Sequence, residues 1–227
     1  MANQILFSFG NKNSYEIDDF FISQANEMAY NQIALYPNWG EERLSKVCLI
    51  IGPYFSGKTH LANIFAAKSG AKFIELKDLQ QPYSIERYAA YIIDDFEQKL
   101  QYEERIFHIF NDCLDQKKFL LILSSQAKSE LAFTTKDLAS RIQATNSIEI
   151  SDPSIELIEA MIYKNFADRQ VTISPEVVKF IITRLERTYR AVEQLIERIN
   201  QKSLIKRSKI NLNLAKEVLQ ELEESAQ

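Results

Sequence analysis

The stretch IGPYFSGKTH, residues 51–60, decides the fold. Gly52, Gly57, Lys58 and Thr59 fill the pattern G-x-x-x-x-G-K-[ST] completely. Each position has a chemical reason. Backbone N–H groups of such a loop, with the N-terminus of the following helix, form an anion cradle. Lys58 would reach the outer phosphates of a nucleotide, and the Thr59 hydroxyl would ligate magnesium. The pattern needs an apolar strand before it and a helix after it. KVCLIIG (46–52) supplies the strand, and GKTHLANIFAAKSG supplies a helix ending at Gly70, a natural C′ residue.

Further strands are expected at KFIEL (72–76), AAYIIDDF (89–96), KFLLILSS (118–125) and SIEI (147–150). Several lack polar alternation, which means burial on both faces and hence a parallel sheet covered by helices. EERIFHIFNDCLDQ places Ile106, Phe107, Phe110, Cys113 and Leu114 on one helical stripe. After ISDPS (150–154) strand-like runs stop. Four helices are expected there, at roughly 153–168, 175–187, 189–207 and 212–223, with Ser174 as N-cap and Pro175 at N1. The sequence thus predicts a three-layer α/β parallel-sheet core over residues 15–151. A small all-α lid domain over 152–227 would follow it, and residues 1–14 precede both.

A phosphate loop needs a partner acid on a neighbouring strand, and YIIDD supplies two. Asp94 is placed to hold magnesium through water, and Asp95 to orient an attacking water. Two solvated aspartates at a strand end are the alternative, but their position about 35 residues after the loop favours the functional reading. LLILSS ends in Ser124, Ser125 and Gln126, polar residues within reach of a γ-phosphate or lytic water. Arg141, in KDLASRI, lies just before the fifth strand. It is either an arginine finger completing a neighbouring molecule's site or a surface arginine in a salt bridge, and spacing alone leaves both open.

Bulk properties narrow the classes. The chain has 227 residues, 46% of them hydrophobic, enough for a substantial core. A net charge of −4 gives no global signal for nucleic acid, and the basic cluster QKSLIKRSK reads as a solvated helix end. Cys48 and Cys113 lie in apolar segments, as buried thiols in a reducing compartment do. Two histidines and no paired-cysteine spacing leave almost no ligands for zinc. There is neither a signal-peptide pattern nor an 18-residue apolar run, so a cytoplasmic protein without membrane contact is expected.

Read together, these motifs resemble the DnaA-type branch of the AAA+ ATPases over nearly the whole chain. YEIDDFFISQANEMAY is similar to the branch's adenine-side motif, with Asp19, Phe20, Ile22, Asn26 and Ala29 at matching positions. GPYFSGKTHL and YIIDDFE resemble its two nucleotide motifs. KDLASRI resembles its finger box, which makes Arg141 the finger, and RTYRAVEQLIERI resembles its second sensor region, which makes Arg190 the lid arginine touching nucleotide. The resemblance implies bound ADP or ATP with Mg2+. Where the branch usually has an aspartate at the first sensor, this chain has Gln126, which can hydrogen-bond but cannot act as a carboxylate. Weak or no intrinsic hydrolysis is implied.

QILFSF, residues 4–9, resembles the branch's hexapeptide that docks on the DNA polymerase III sliding clamp (beta subunit). Gln4, Ile5, Phe7 and Phe9 occupy its glutamine and apolar positions, with Ser8 where proline is usual. A terminal strand packing on the core is the alternative. The expected layout is a bare ATPase module, without the origin-reading and helicase-interacting domains of an initiator. A regulatory member of the branch fits that layout. It would stimulate hydrolysis of ATP on the DnaA initiator and meet DNA only through the clamp; self-assembly as a homo-oligomer stays open. A DnaC-type helicase loader or another DnaA-like ATPase acting on DNA is the competing reading.

Overall fold

The computed structural model describes residues 20–80, 85, 87–206 and 208–225. At its centre is a five-stranded sheet in the order β2-β3-β4-β1-β5. The strands are β1 (Val47–Ile51), β2 (Lys72–Phe73), β3 (Ala90–Ile93), β4 (Phe119–Ser124) and β5 (Asn146–Glu149). All pairings are parallel: β1 runs from Val47↔Leu120 to Ile51↔Ser124 on one side and from Cys48↔Asn146 to Ile51↔Glu149 on the other. Every residue of β1, β3 and β4 is buried, as strands covered on both faces require.

Alternation along the strands sorts the core into two layers. Leu49, Ile51, Tyr91, Ile93, Leu120 and Ile122 point one way, against α4 (Glu103–Asp115) and α5 (Lys136–Ala144). Cys48, Ile50, Ala90, Ile92, Leu121 and Leu123 point the other way, against α1 (Glu27–Ala34) and α2 (Lys58–Ser69). The two cysteines therefore lie on opposite faces of the sheet. Both are free and buried, and burial pushes each thiol pKa up to about 12.

A helical part follows: α6 (Ile155–Asp168), α7 (Pro175–Ile182), α8 (Tyr189–Lys206) and α9 (Leu212–Ser225). Its apolar residues form a cluster of their own, drawn from Ile158 onward. Leu157 and Tyr189 belong instead to the α1–α2 layer, so α6 and α8 are anchored on the sheet side. Ser154 and Ser174 cap α6 and α7, accepting from Leu157 N and Val177 N, and Pro175 opens α7. No helix among the described residues is long and apolar enough to cross a membrane.

Several boundaries differ from the sequence reading for identifiable reasons. The strand expected over 72–76 is only Lys72–Phe73, and α3 (Leu76–Gln80) replaces its end. The Asp78 carboxylate accepts the Glu75 N–H at 2.9 Å and turns the chain into a helix. The helix expected to reach 187 stops at Ile182. There the Thr183 hydroxyl donates to Phe180 O at 2.9 Å, and Thr188 is committed to the next helix, accepting from Ala191 N at 3.1 Å. Along α4 the buried stripe contains Ile109, while Phe107 is only half-buried.

Candidate functional site

The loop after β1 leaves the C-terminal edge of the sheet between β4 and β5, where ligands of open α/β sheets bind. Two of its glycines are sterically required. A Cβ on Gly52 would lie 2.8 Å from Ser56 Oγ and 2.9 Å from Ile150 Cβ. Gly57 has φ +88°, and a Cβ there would meet the Phe20 ring at 3.1 Å. The Gly52 N–H donates to Ser124 O at 3.1 Å, locking the loop's start to β4.

Lys58, the first residue of α2, is only 6% exposed. Its ammonium donates to the loop carbonyls of Gly52 at 2.7 Å and Pro53 at 2.9 Å. Burial pulls its pKa down, and the negative charges of Glu97, Asp94 and Asp95 push the other way. Thr59 follows, and its hydroxyl donates to Asp94 Oδ2 at 2.8 Å. The loop and the acid strand, 35 positions apart in sequence, are thus in direct contact. Asp94 Oδ1 also accepts the Asp95 N–H at 2.9 Å, and Lys99 Nζ donates to the Asp94 carbonyl. Asp95 has φ +48°, a left-handed backbone unusual for a non-glycine residue. Burial, then the like charges of Asp94 and Glu97, raise its pKa above the ordinary carboxylate value.

Two adjoining cavities flank the loop. One, of about 500 Å³, is lined by Phe20, Ile22, Asn26, Gly57, Met161 and Tyr189 among others. The other, of about 530 Å³, contains Lys58, Thr59 and Asp95, facing Asn165, Arg169 and Glu193 of the helical part. Phe20 stacks on Tyr30 and sits edge-on to His60. Asn26 is buried and shapes the wall: its Oδ1 accepts Ser23 N–H at 2.8 Å, and its Nδ2 donates to Phe21 O at 3.0 Å. Ala29 is fully buried in the core rather than in a cavity wall.

The remaining sequence-derived residues are dispersed. Arg190 is exposed and lines a cavity of about 420 Å³ with Gln194 and Glu197, which shares Tyr54, Phe55 and Glu193 with the cavity of Lys58. Gln126 lines none of these three cavities. Its backbone is held by Ser124, whose hydroxyl accepts the Gln126 N–H at 3.0 Å and donates to its carbonyl at 2.9 Å. Arg141 is half-buried in the last turn of α5 and also lines none of them. Its carbonyl accepts from Thr145, but its guanidinium has no hydrogen bond or ion pair among the described residues. Gln4, Ile5, Phe7, Phe9 and Asp19 lie outside the described residues.

Several residues at the site have no motif to announce them. Glu97 accepts the Tyr54 hydroxyl and the Ser125 N–H, each at 3.2 Å, and so ties the loop to the end of β4. Arg169 donates one Nη1 to both Asn165 O and Asn165 Oδ1 at 2.9 Å. Burial raises the Glu193 carboxyl, with Arg169 opposing. The Tyr189 hydroxyl donates to Ser151 O at 3.1 Å, and burial pushes its pKa up to about 12. Only the acidic side chain two residues after Asp95 is a signal that spacing could have flagged.

The donor set fits a phosphate chain with a divalent cation. Glycines keep the cradle open, a buried ammonium stands among backbone groups, and a hydroxyl–carboxylate pair suits a hard cation. Ser56 Oγ and Ser125 Oγ are buried beside it without hydrogen-bond partners among the described residues.

No protein-family model matches the chain. A curated relative, the chromosomal replication initiator protein DnaA of Aliarcobacter butzleri, is 26% identical over 230 residues, covering 92% of this chain and 52% of the relative. Domain III of the Thermotoga maritima DnaA superposes with a TM-score of 0.74 at 18% identity, over 92% of this chain and 97% of that one. The chain is DnaA-like. AMPPCP-bound DnaA from Aquifex aeolicus has the same fold, with a TM-score of 0.65 at 19% identity over 85% of this chain and 67% of that one. The DnaA-like chain spans about half the length of the curated relatives it matches.

Proposed function

We propose that this DnaA-like chain is a nucleotide-holding regulator of replication initiation, acting as Hda-type regulators do on the DnaA initiator. In this reading ADP or ATP lies along the loop. Its phosphates meet the backbone amides of residues 52–57 and the ammonium of Lys58, which exchanges its two loop-carbonyl bonds for phosphate oxygens. Thr59 and, through water, Asp94 hold Mg2+. The base occupies the cavity of Phe20, Ile22 and Asn26, Arg190 meets the nucleotide from the lid, and Gln126 hydrogen-bonds near the γ-phosphate. Asp95 is the carboxylate that would orient water, and its raised pKa suits a proton acceptor. Residues 15–151 form the nucleotide-binding unit and 152–227 its lid.

The observation that carries the regulatory reading is Arg141. An arginine half-buried on its helix, with no guanidinium partner among the described residues and outside the cavities that flank its own loop, is available to another molecule's phosphates. A surface salt bridge, the competing account, has no partner among the described residues. The test uses ATP-loaded DnaA, this protein and clamp loaded on DNA, with each omitted in turn. ADP should form rapidly only in the complete mixture. An unchanged rate without this protein overturns the reading. Helicase and single-stranded DNA binding in its place would establish the DnaC-type loader.

The clamp tether has its own expected result. Replacing Gln4, Phe7 and Phe9 together by alanine should abolish capture by immobilised clamp and leave the melting temperature unchanged. A lowered melting temperature would mean that QILFSF packs on the core instead.

A further inference from the structure

Glu103 is 4% exposed and opens α4, yet its carboxylate is used elsewhere in the chain. Oε1 accepts the Thr134 N–H at 2.6 Å, and Oε2 accepts the Thr135 N–H at 2.7 Å. Oε2 also accepts both hydroxyls, Thr134 at 3.0 Å and Thr135 at 2.7 Å. Thr135 is the N-cap of α5, the helix that carries Arg141. Its hydroxyl is turned to Glu103 and makes no capping bond to its own helix. The start of α5 is therefore fixed from outside, by α4. Burial alone would raise the Glu103 carboxyl, but these four hydrogen bonds bring it below the ordinary value, so it is an anion.

The other end of this connection is the acid pair. Asp95 is the N-cap and Glu103 the C-cap of a single 3₁₀ segment, Phe96–Tyr102, that runs straight into α4. Seven residues is long for this helix type, whose hydrogen bonds are poorer than those of an α-helix. Glu97, within it, is bonded to Tyr54 of the phosphate loop and to Ser125. One continuous backbone element thus has the site's carboxylates at one end and the anchor of α5 at the other.

We propose that Glu103 is a positioning residue for Arg141, setting the orientation of α5 through Thr134 and Thr135 and linking it to the acid loop of the same chain. This rests on reading Arg141 as a finger acting on DnaA-bound ATP.

Glu103→Gln keeps the shape but replaces one acceptor oxygen by an NH2 group, leaving one backbone N–H of Thr134 or Thr135 without an acceptor. In the complete assay it should lower the maximal rate of DnaA-bound ATP hydrolysis by about tenfold or more, since a misplacement of about 1 Å costs on the order of 10²-fold. The half-saturating concentration of this protein and its own ADP affinity should stay within twofold of wild type. In an Arg141→Ala background, Glu103→Gln should add no further loss. Thr135→Ser, which keeps the hydroxyl bonded to Glu103, should keep the wild-type rate, whereas Thr135→Val should lose it, which keeps the test open if Glu103→Gln folds poorly. Independent, multiplying losses from Glu103→Gln and Arg141→Ala overturn the proposal, as does a wild-type rate in both Glu103→Gln and Thr135→Val. If wild type itself gives no stimulation, the regulatory reading falls and this inference with it. Wild-type stimulation that both Glu103→Gln and Thr135→Val retain removes this inference alone.

Discussion

Lys58→Ala is expected to weaken ADP and ATP binding by about 10²-fold or more. A hydrogen bond to a charged group contributes about 1.5–3 kcal/mol, and about 1.4 kcal/mol is a factor of ten in affinity. A lysine meeting two phosphate groups therefore loses at least two such bonds when truncated. Lys58 already stands inside the loop, buried and bonded to Gly52 O and Pro53 O, so little ordering of its side chain remains to be done on binding. The fold should tolerate the change. Burial lowers the Lys58 pKa, so folding disfavours its charged form, and relief of that burial offsets part of the loss of its bonds to Gly52 O and Pro53 O. Titration calorimetry of both proteins with ADP, beside their melting curves, checks both halves. Equal affinities would remove the loop from the function.

Arg141→Ala should leave ADP affinity and clamp capture unchanged and still abolish stimulation of DnaA-bound ATP hydrolysis. Arginine fingers contribute about 10³–10⁵ in rate by stabilising charge on the transferring phosphoryl group. Arg141→Lys should do little better than alanine, because an ammonium cannot reproduce the planar two-pronged donor. The guanidinium bonds to nothing among the described residues, so its loss costs the fold only the packing of its half-buried stem, about 1 kcal/mol or less. Single-turnover ADP formation with mutant, DNA-loaded clamp and ATP-loaded DnaA decides it. Wild-type stimulation by Arg141→Ala would mean that another residue serves as the finger.

Much of the fold could be read from local pattern. The apolar run into Gly52, the helix from Lys58 and the buried strands around Ile92 and Ile122 each carry their information within ten residues. Boundaries failed where a side chain three residues away captured a backbone group, as Asp78 does at Glu75. Within the site, Thr59 and Asp94 were legible because their motifs have fixed chemistry. Glu97, Arg169 and Glu103 were not, because each acquires its role from a partner that only folding supplies: Tyr54 with Ser125, the cavity of Lys58, and Thr134 with Thr135. Arg190 shows the converse. A helix assigned from pattern alone does not say which of two neighbouring cavities its arginine lines, and here it is the one that Gln194 and Glu197 also line.

The strand order has a consequence for how the chain is made. Among the described strands β1 is the first to leave the ribosome, but both its partners, β4 and β5, are encoded much later. About 70 residues separate the end of β1 from the start of β4, so at roughly 5–20 residues per second the apolar segment VCLII waits several seconds for its first strand neighbour. Until then its backbone donors and acceptors are free to pair with another nascent chain. Ribosome-associated chaperones should therefore engage this protein between the synthesis of Ile51 and Ser124, and slower translation of that interval should lower its soluble yield.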